Sequence, residues 1–279
     1  MSILVSFFML FFYAEVSDTT PVKQIDTIKA NQALSRSKKL FFRDALAARD
    51  ITYDWSNQLH YSNNYKIRAK FNLQHARNDE VCGSIEAAIE VYSRAINDGV
   101  LFDKNSLVLA ESYARRGNAF NAKGESQLAI ADILNAKRIY EHHKKVKELI
   151  WCEALIANSY LHQQSLVKAQ KKIIKAIGDL EQYETSLFLM DAYFIYAKII
   201  WKEKIDNEDL PFVPVRAIRY LDTALLYLER VNNKPYKGMA LKLLADIKNL
   251  ETKYEESLKL ARRANALFEE SNFLVNGGL

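Results

Sequence analysis

Histidines, cysteines and clustered carboxylates are the residues of this chain whose types could support catalysis or metal binding. His142 and His143 are adjacent, and neighbouring positions on a helix point about 100° apart, so the two imidazoles would not converge on one metal ion. Asp206, Glu208 and Asp209 lack the spacing of a calcium-binding loop. The sequence also has no G-x-x-x-x-G-K-S/T, G-x-G-x-x-G, H-E-x-x-H or C-x-x-C motif. We therefore expect neither catalysis nor a metal or cofactor.

The aromatic residues are the other side chains with a plausible chemical role. They are densest in one group, which consists of Trp151, Tyr193, Phe194, Tyr196 and Trp201. Packing between helices is the interpretation that we favour. In the alternative, Trp151 or Trp201 forms a wall of a binding site and anchors an apolar side chain of a partner.

Composition excludes several classes of protein. The 279 residues carry 39 Lys and Arg against 34 Asp and Glu, and the two signs are interspersed rather than gathered in a basic stripe. We therefore expect no nucleic-acid partner. Only 8 Gly and 4 Pro argue against an all-β fold, which needs many turns. Cys82 and Cys152 are too few for a disulfide framework, and we expect both to be buried thiols.

The elements that position these residues are revealed by a triad of small and apolar residues that returns five times. Its spacing of four and then three residues places each triad on one helix face. Successive triads begin 41, 40, 48 and 40 residues apart, which indicates a solenoid of stacked units. The triads are Ala88, Tyr92, Ala95; Ala129, Ile133, Ala136; Ala169, Ile173, Ala176; Ala217, Leu221, Ala224; and Ser257, Ala261, Ala264.

Helical patterns occupy nearly all of the chain from residue 22 to residue 273, which we interpret as one repeat domain. Asp98 and Gly99 are expected to end the fourth helix. Residues 204–214, with two prolines and an acidic cluster, form an insertion that explains the 48-residue step. The predicted helices span residues 22–37, 40–59, 63–77, 84–97, 106–122, 126–142, 146–162, 166–180, 185–204, 215–231, 237–250 and 254–273.

The unit from Ala110 to Ala136 resembles the tetratricopeptide repeat family. Its first helix has a large–small–large pattern, a tight glycine turn follows, and its second helix has a small–large–small pattern. The residues of this pattern are Tyr113, Gly117, Phe120, Gly124, Ala129, Ile133 and Ala136. Other units match in part: Ser165 replaces the turn glycine, and Asp79 replaces an aromatic. The resemblance implies an all-α fold, a right-handed superhelix of antiparallel helix pairs, in the version with repeats of about 40 residues that is similar to bacterial signalling and regulatory proteins.

The resemblance also implies a peptide-binding groove lined by the first helices of the pairs. In this family the residue after the small position of each first helix points into the groove. Those residues are Asn118, Asn158, Lys198 and Asp246, and an Asn amide can pair with a peptide backbone regardless of its sequence. Arg115 and Asn121 flank Asn118 and are expected to contact an acidic group of the partner. The predicted groove residues are Arg115, Asn118, Asn121, Trp151, Asn158, Lys198 and Trp201.

The N-terminal segment, residues 1–17, contains an apolar run over residues 3–13 that is too short to span a bilayer. We interpret it as a secretory signal, cleaved near residues 14–18, although no basic residue precedes it and the cleavage site is poor. A buried N-terminal helix and an uncleaved anchor are the alternatives. We therefore expect an exported, periplasmic or membrane-associated protein, with a cytoplasmic location as the alternative. Membrane contact is expected only through this segment, if it is not cleaved.

These observations together predict a non-catalytic scaffold that binds a protein or peptide. An exported chain would suit the extracytoplasmic sensing or assembly part of a bacterial signalling system. The alternative is a cytoplasmic regulatory switch, in which a peptide bound in the groove alters contact with a partner protein. A third interpretation is an enzyme subunit that contributes only scaffold.

Overall fold

The computed structural model describes residues 26–183, 187–206, 215–230 and 234–271. These segments form twelve α-helices and no strand, as the sequence predicts. The helices are α1 Thr27–Leu40, α2 Ala45–Leu59, α3 Tyr65–Val81, α4 Ile85–Phe102, α5 Leu107–Ala122, α6 Ser126–His142, α7 Val146–His162, α8 Leu166–Leu180, α9 Leu187–Asp206, α10 Val215–Arg230, α11 Lys234–Leu250 and α12 Tyr254–Glu270.

The helices stack as six antiparallel pairs in a superhelix. Each helix packs against the next, and every odd-numbered helix also contacts the following odd-numbered helix. No two even-numbered helices make comparable contact in the described segments. We therefore call α1, α3, α5, α7, α9 and α11 the inner helices, and α2, α4, α6, α8, α10 and α12 the outer helices.

The repeated triads lie on the outer helices and face their inner partners. All twelve residues of the first four triads are buried, whereas Ser257 and Ala261 of the last triad are half-buried at the end of the stack. Helix approach is close at Gly117, where an added Cβ would lie 2.8 Å from Cγ1 of Ile133 and 3.0 Å from the Ala129 carbonyl oxygen. The small residues therefore set the distance between helices of a pair.

Left-handed residues end several of the inner helices. Gly83 and Gly124 have φ angles of +79° and +77°, which glycine adopts without steric cost. In the fourth pair the left-handed residue is Gln164, with a φ of +57°. The prediction that Ser165 takes the position of the turn glycine is therefore wrong. The Ser165 N–H still donates to the Tyr160 carbonyl at 2.9 Å and closes the same kind of helix end.

The fourth helix continues past the predicted stop at Asp98 and Gly99. Asp98 is buried and accepts from Arg68 at 2.8 Å and from Asn72 at 2.9 Å, both on α3. Gly99 is also buried, and an added Cβ would meet Cβ of Leu109 at 3.2 Å. The glycine therefore serves helix packing rather than termination, a distinction that depends on contacts with other helices.

The N-terminal pair is held to α3 by buried polar groups. The Asn78 amide nitrogen lies 2.9 Å from both the Ala48 carbonyl and Thr52 Oγ1 of α2. Asp79, in the position where the repeat pattern has an aromatic, is paired with Arg49 Nε at 3.1 Å. Burial raises the pKa of Asp79 to about 6, although the Arg49 guanidinium lowers it. Polar pairing thus replaces aromatic packing in this unit.

The predicted signal segment, residues 1–17, and most of the predicted insertion, residues 207–214, lie outside the described residues.

Asp44 explains why α2 begins later than predicted, since its carboxylate accepts from the Ala47 N–H at 3.0 Å and caps the helix. Within the described segments, no helix is both long enough and apolar enough to cross a bilayer.

Candidate functional site

Polar and aromatic side chains recur at equivalent positions of the inner helices. Asn118, Asn158 and Lys198 lie 40 residues apart on α5, α7 and α9. Seven residues before each of them, which is two helical turns along the same face, lie Glu111, Trp151 and Asp191. The inner helices therefore present two rows of potential contacts along one surface, which we call the groove.

A cavity of about 580 Å³ opens in this groove. Its lining comes mainly from the inner helices α3, α5, α7 and α9, with a tyrosine from each of two outer helices. The lining residues are Arg77, Leu107, Glu111, Arg115, Tyr140, Lys147, Glu148, Trp151, Leu187, Phe188 and Tyr227. The predicted site residues Arg115 and Trp151 are among them.

Arg115 places a buried guanidinium in the cavity wall. Arg115 is 8% exposed, and its guanidinium carbon lies 4.9 Å from the centre of the Trp151 ring. Arg115 Nε is 3.8 Å from Glu111 Oε1 and has no hydrogen-bond partner among the described residues. Arg77 Nη1 approaches the same Glu111 oxygen at 3.5 Å. One carboxylate therefore lies between two guanidinium groups without a short hydrogen bond to either.

Trp151 both packs between helices and lines the cavity, which are the two roles considered for the aromatic group. It is 1% exposed and stacks on Phe188 with ring centres 4.9 Å apart, so packing is its main contact. Its indole Nε1–H donates to Asp191 Oδ2 at 3.0 Å. Burial raises the pKa of Asp191 to about 6, against the opposing effects of the Arg115 guanidinium and the indole hydrogen bond. Trp151 also lines the cavity.

The two asparagines in equivalent positions differ in their partners. Asn158 is 5% exposed, and its Oδ1 has no hydrogen-bond partner within the described segments. Asn118 is half-buried, and its Nδ2 donates to Glu80 Oε1 at 3.2 Å. Glu80 in turn accepts from the Tyr92 hydroxyl at 2.7 Å. A buried amide oxygen without a donor is uncommon in proteins, which singles out Asn158.

Asn121 was predicted to line the groove, but the structure places its side chain between two inner helices. It is fully buried between α5 and α7, where its Nδ2 donates to the Leu155 carbonyl at 3.1 Å. Its Oδ1 accepts from the Ser159 hydroxyl at 2.8 Å. The residue lies three positions after Asn118, and that rotation turns its amide toward the neighbouring inner helix, where it joins two repeat units.

Lys198 and Trp201 are half-buried farther along α9, outside the residues that line the cavity. Burial lowers the pKa of Lys198, an effect that Asp191 opposes and Lys242 reinforces. In the next inner helix Asp246 is paired with Lys242 at 3.6 Å. The polar row thus continues beyond the cavity.

The rest of the aromatic group is packing, as favoured from the sequence. Tyr193 stacks on Tyr220 at 4.8 Å and donates its hydroxyl to Glu181 at 3.1 Å. Tyr196 meets the same Tyr220 edge-on at 5.4 Å. Phe194 is also buried. Tyr193 and Tyr196 join α9 to α10, Phe194 joins α9 to α11 through Tyr236, and none of the three lines the cavity.

Several cavity residues were missed by the sequence analysis. Arg77 follows Ala76, the small residue of α3, so the rule that selected Asn118 and Asn158 also selects Arg77. Glu111 precedes Asn118 by two helical turns and could have been found by extending the same face. Phe188 carries no such signal, because its stacking on Trp151 joins two helices whose contact the spacing does not reveal.

Of the residues first considered for catalysis, Glu208 and Asp209 lie outside the described residues, and the rings of His142 and His143 meet edge-on with centres 5.1 Å apart. His142 and His143 are exposed, and Cys82 and Cys152 are buried free thiols, as predicted. Burial raises the pKa of the two thiols to about 11 and about 12. In the described part of the chain, no three His, Cys, Asp or Glu side chains are grouped so as to hold a metal ion.

Comparisons with known proteins agree with the repeat architecture. No protein-family model and no curated protein matches the sequence. Among solved structures, the apo form of RapI is similar over 89% of this chain and 86% of its own, with a TM-score of 0.63 and 14% identity. A Rap protein complexed with competence and sporulation factor gives a TM-score of 0.56 at 16% identity, over 88% of this chain and 77% of its own.

Aspartyl phosphate phosphatase F from Bacillus subtilis is similar at a TM-score of 0.56 and 17% identity, over 91% of this chain and 72% of its own. At such identities the likeness concerns the fold. The structural neighbours are tetratricopeptide-like repeat proteins, and this chain has their all-α superhelical fold.

Proposed function

We propose that this chain is a peptide-responsive regulatory protein that binds a short peptide in the groove and thereby alters its contact with a partner protein. The observation that carries the proposal is the buried Oδ1 of Asn158, which lacks a donor in the described segments and belongs to a row of polar side chains on the inner helices. A backbone N–H of an extended peptide is the donor that would satisfy it. A structural neighbour solved with competence and sporulation factor supports the same kind of ligand.

The stacked architecture supplies a route from peptide binding to regulation. Each helix pair contacts chiefly its neighbours, so the curvature of the stack depends on the angles between successive pairs. A peptide that contacts α5, α7 and α9 together would favour the curvature in which those contacts are simultaneous. Binding would then shift the population of conformations that a partner protein recognises.

The role that we propose is binding and not catalysis. One neighbour is named a phosphatase, but this sequence has none of the nucleotide, zinc or dithiol motifs considered above. The polar groups of the groove are amides, guanidinium groups and carboxylates in positions suited to hold a ligand.

We propose a cytoplasmic location for this regulatory role, in preference to export of a sensing or assembly domain. The test is N-terminal sequencing of the protein isolated from its native host. An intact N-terminus would support the cytoplasmic version, whereas a mature chain that begins near residues 14–18 would establish cleavage of an export signal and contradict it.

Capture from the native host tests the function itself. The tagged chain is used as bait, and co-purified peptides and proteins are identified by mass spectrometry. A captured peptide is then synthesised, and its affinity is measured by calorimetry. Asn158→Ala should weaken binding roughly five- to hundredfold, because the peptide group is left unpaired. Adding Asn118→Ala should weaken it further by a smaller factor, since Asn118 already has Glu80 as a partner.

Lys171→Ala is the matched control, because Lys171 is exposed on the outer helix α8. Lys172 is unsuitable for this purpose because it is paired with Glu153 of α7. Wild-type affinity in the Asn118→Ala, Asn158→Ala double variant would mean that the peptide binds another surface. Capture of proteins only, with no peptide, would contradict peptide regulation.

A further inference from the structure

We propose that the cavity beside Trp151 binds a carboxylate group of the peptide, with the guanidinium groups of Arg77 and Arg115 as its partners. This inference rests on the proposed peptide-binding function and names the chemistry of the anchoring group. The carboxylate is either the C-terminus of the peptide or an acidic side chain, and the experiment below distinguishes the two.

Unused donors of the two arginines are the first observation. Nε of Arg115 and Nε of Arg77 are both buried and lack hydrogen-bond partners among the described residues. Glu111 is near both guanidinium groups, at 3.8 and 3.5 Å, but these separations exceed the 2.7–2.9 Å of a charge-assisted hydrogen bond. A buried arginine ordinarily pairs its planar donors with a carboxylate in a two-bond arrangement. Among the described residues, neither guanidinium makes that arrangement.

The charge of the cavity lining is the second observation. The described side chains that line it include three cations, Arg77, Arg115 and Lys147, and two carboxylates, Glu111 and Glu148. The lining itself therefore has one positive charge in excess, and the carboxylates of Asp191 and Glu80 interact with the Arg115 guanidinium from outside the lining. A singly charged carboxylate balances this excess, whereas a doubly charged phosphate would exceed it and be repelled by the two glutamates.

The remaining walls are apolar and determine what accompanies the carboxylate. Leu107, Leu187, Phe188 and Tyr227 belong to the same lining, and the Arg115 guanidinium lies over the ring of Trp151. The volume of about 580 Å³ is within the range of pockets that hold small organic ligands. The cavity therefore suits the end of a peptide in which an apolar side chain lies next to the carboxylate.

Affinity selection from synthetic peptide pools tests the proposal with the full-length chain. Three pools of N-acetylated random pentapeptides are passed over the immobilised protein, and retained peptides are identified by mass spectrometry. The first pool has free C-termini and omits Asp and Glu. The second has amidated C-termini and includes Asp and Glu. The third has amidated C-termini and omits Asp and Glu, so that it contains no carboxylate.

Retention from the first pool at tenfold or more over the third would support a C-terminal carboxylate as the anchor. The same enrichment from the second pool would support an acidic side chain. Equal retention from all three pools would overturn the carboxylate site and leave the proposed peptide binding intact. No retention from any pool would overturn both, because the groove would then not hold a short peptide.

Variants connect the selection to the two arginines. Arg115→Gln and, separately, Arg77→Gln should each lower affinity for the retained acidic peptides roughly tenfold to hundredfold, with no effect on analogues that lack the anchoring carboxylate. Arg77 is at the more exposed side of the cavity, so its variant remains informative if the Arg115 variant unfolds. Lys168→Gln, at an exposed position of α8, is the charge-matched control. Unchanged affinity in a folded variant of either arginine would contradict its assignment as a carboxylate partner.

Discussion

The inner and outer helices of this chain differ in how much of their surface is buried. The outer helix α8 has one apolar stripe, formed by Ala169, Ile173 and Ala176, while Val167 on its other side is 81% exposed. The inner helix α9 is in contact with α7, α8, α10 and α11 and buries residues around most of its circumference. An outer helix therefore needs only one apolar face, whereas an inner helix must place polar groups within a crowded interior.

This difference determines where function can reside. Buried polar groups are costly unless they are paired, so each one on an inner helix requires a specific partner or a specific reason to lack one. Asn121 has its partners on α7, and Trp151 has its partner in Asp191. Asn158 and Arg115 retain atoms without hydrogen-bond partners in the described segments. Three of the five described side chains with such atoms, Arg77, Arg115 and Asn158, belong to the groove, and the other two, Ser56 and His75, lie on α2 and α3.

The largest expected effect concerns the charge pair that joins an inner helix to two outer helices. Arg116 donates to buried Asp132 at 2.6 and 2.9 Å and to Ser93 at 2.8 Å. Arg116→Met should lower the free energy of unfolding by about 3–5 kcal/mol, because Asp132 is left buried without its partner. Denaturant titration measures the loss. Arg94→Met is the control, since the Arg94 side chain is exposed and its ion pair with Glu90 is a 4.0 Å contact at the surface.

If polar pairing across the inner and outer helices is responsible, Asp132→Leu added to Arg116→Met should restore most of the lost stability, because no buried charge then remains. A double variant as unstable as the single one would instead attribute the loss to the arginine's hydrocarbon packing.

Helix spacing within a pair gives the next largest effect. Gly117→Leu should lower the free energy of unfolding by about 1–3 kcal/mol, because even a Cβ at this position would meet Ile133 at 2.8 Å. Ala129→Leu, on the facing outer helix, should act similarly. Gly178→Leu on α8 is a matched control, since an added Cβ there has nothing within 4 Å. Equal melting temperatures for the Gly117 and Gly178 variants would refute the assigned repeat register.

The buried carboxyl of Asp191 should make stability depend on pH in a predictable direction. Its pKa is raised from 3.8 to about 6 by burial, so the folded protein retains a proton that the unfolded chain releases. Stability from this group therefore falls as the pH rises from about 4 to about 6. Asp191→Asn preserves an acceptor for the Trp151 indole and should be more stable than the wild type above pH 6, by on the order of 1 kcal/mol.

Thermal unfolding of both proteins from pH 4 to pH 8 checks this prediction. The advantage of Asp191→Asn should fall to a small fraction of its full value at pH 4, where the carboxyl is protonated in the folded protein and in about two-fifths of the unfolded chains. A difference in stability between the two proteins that is the same at every pH would mean that hydrogen bonding, rather than the charge of the Asp191 carboxylate, determines the effect.

The smallest effect is expected on the solvent face of an outer helix. Val167→Ser removes an apolar side chain that is 81% exposed, and it should change the free energy of unfolding by less than about 0.5 kcal/mol. Ile173→Ala on the same helix removes a fully buried side chain and should cost about 2–5 kcal/mol. Similar losses for these two variants would contradict the division of outer helices into a packed face and a solvent face.

Sequence patterns were most reliable where a single face decides burial. The predicted bounds 126–142, 146–162 and 166–180 coincide with α6, α7 and α8. The pattern failed at Asp98 and Gly99, because a helix stop and a packed glycine look alike until the contact with Leu109 is known. For the candidate site, equivalent positions in successive units identified Asn158 but could not distinguish it from Asn118.

The sequence by itself determined the repeated small residues, their period and therefore a stack of helix pairs, because these depend on local periodicity and on the size of single side chains. Only the tertiary structure decided which polar groups have partners. Glu80 of α3 reaches Asn118 across the stack, while no described group reaches Oδ1 of Asn158 or Nε of Arg115. Such pairing joins residues about 40 positions apart, and its outcome depends on distances of less than 1 Å that no spacing along the chain encodes.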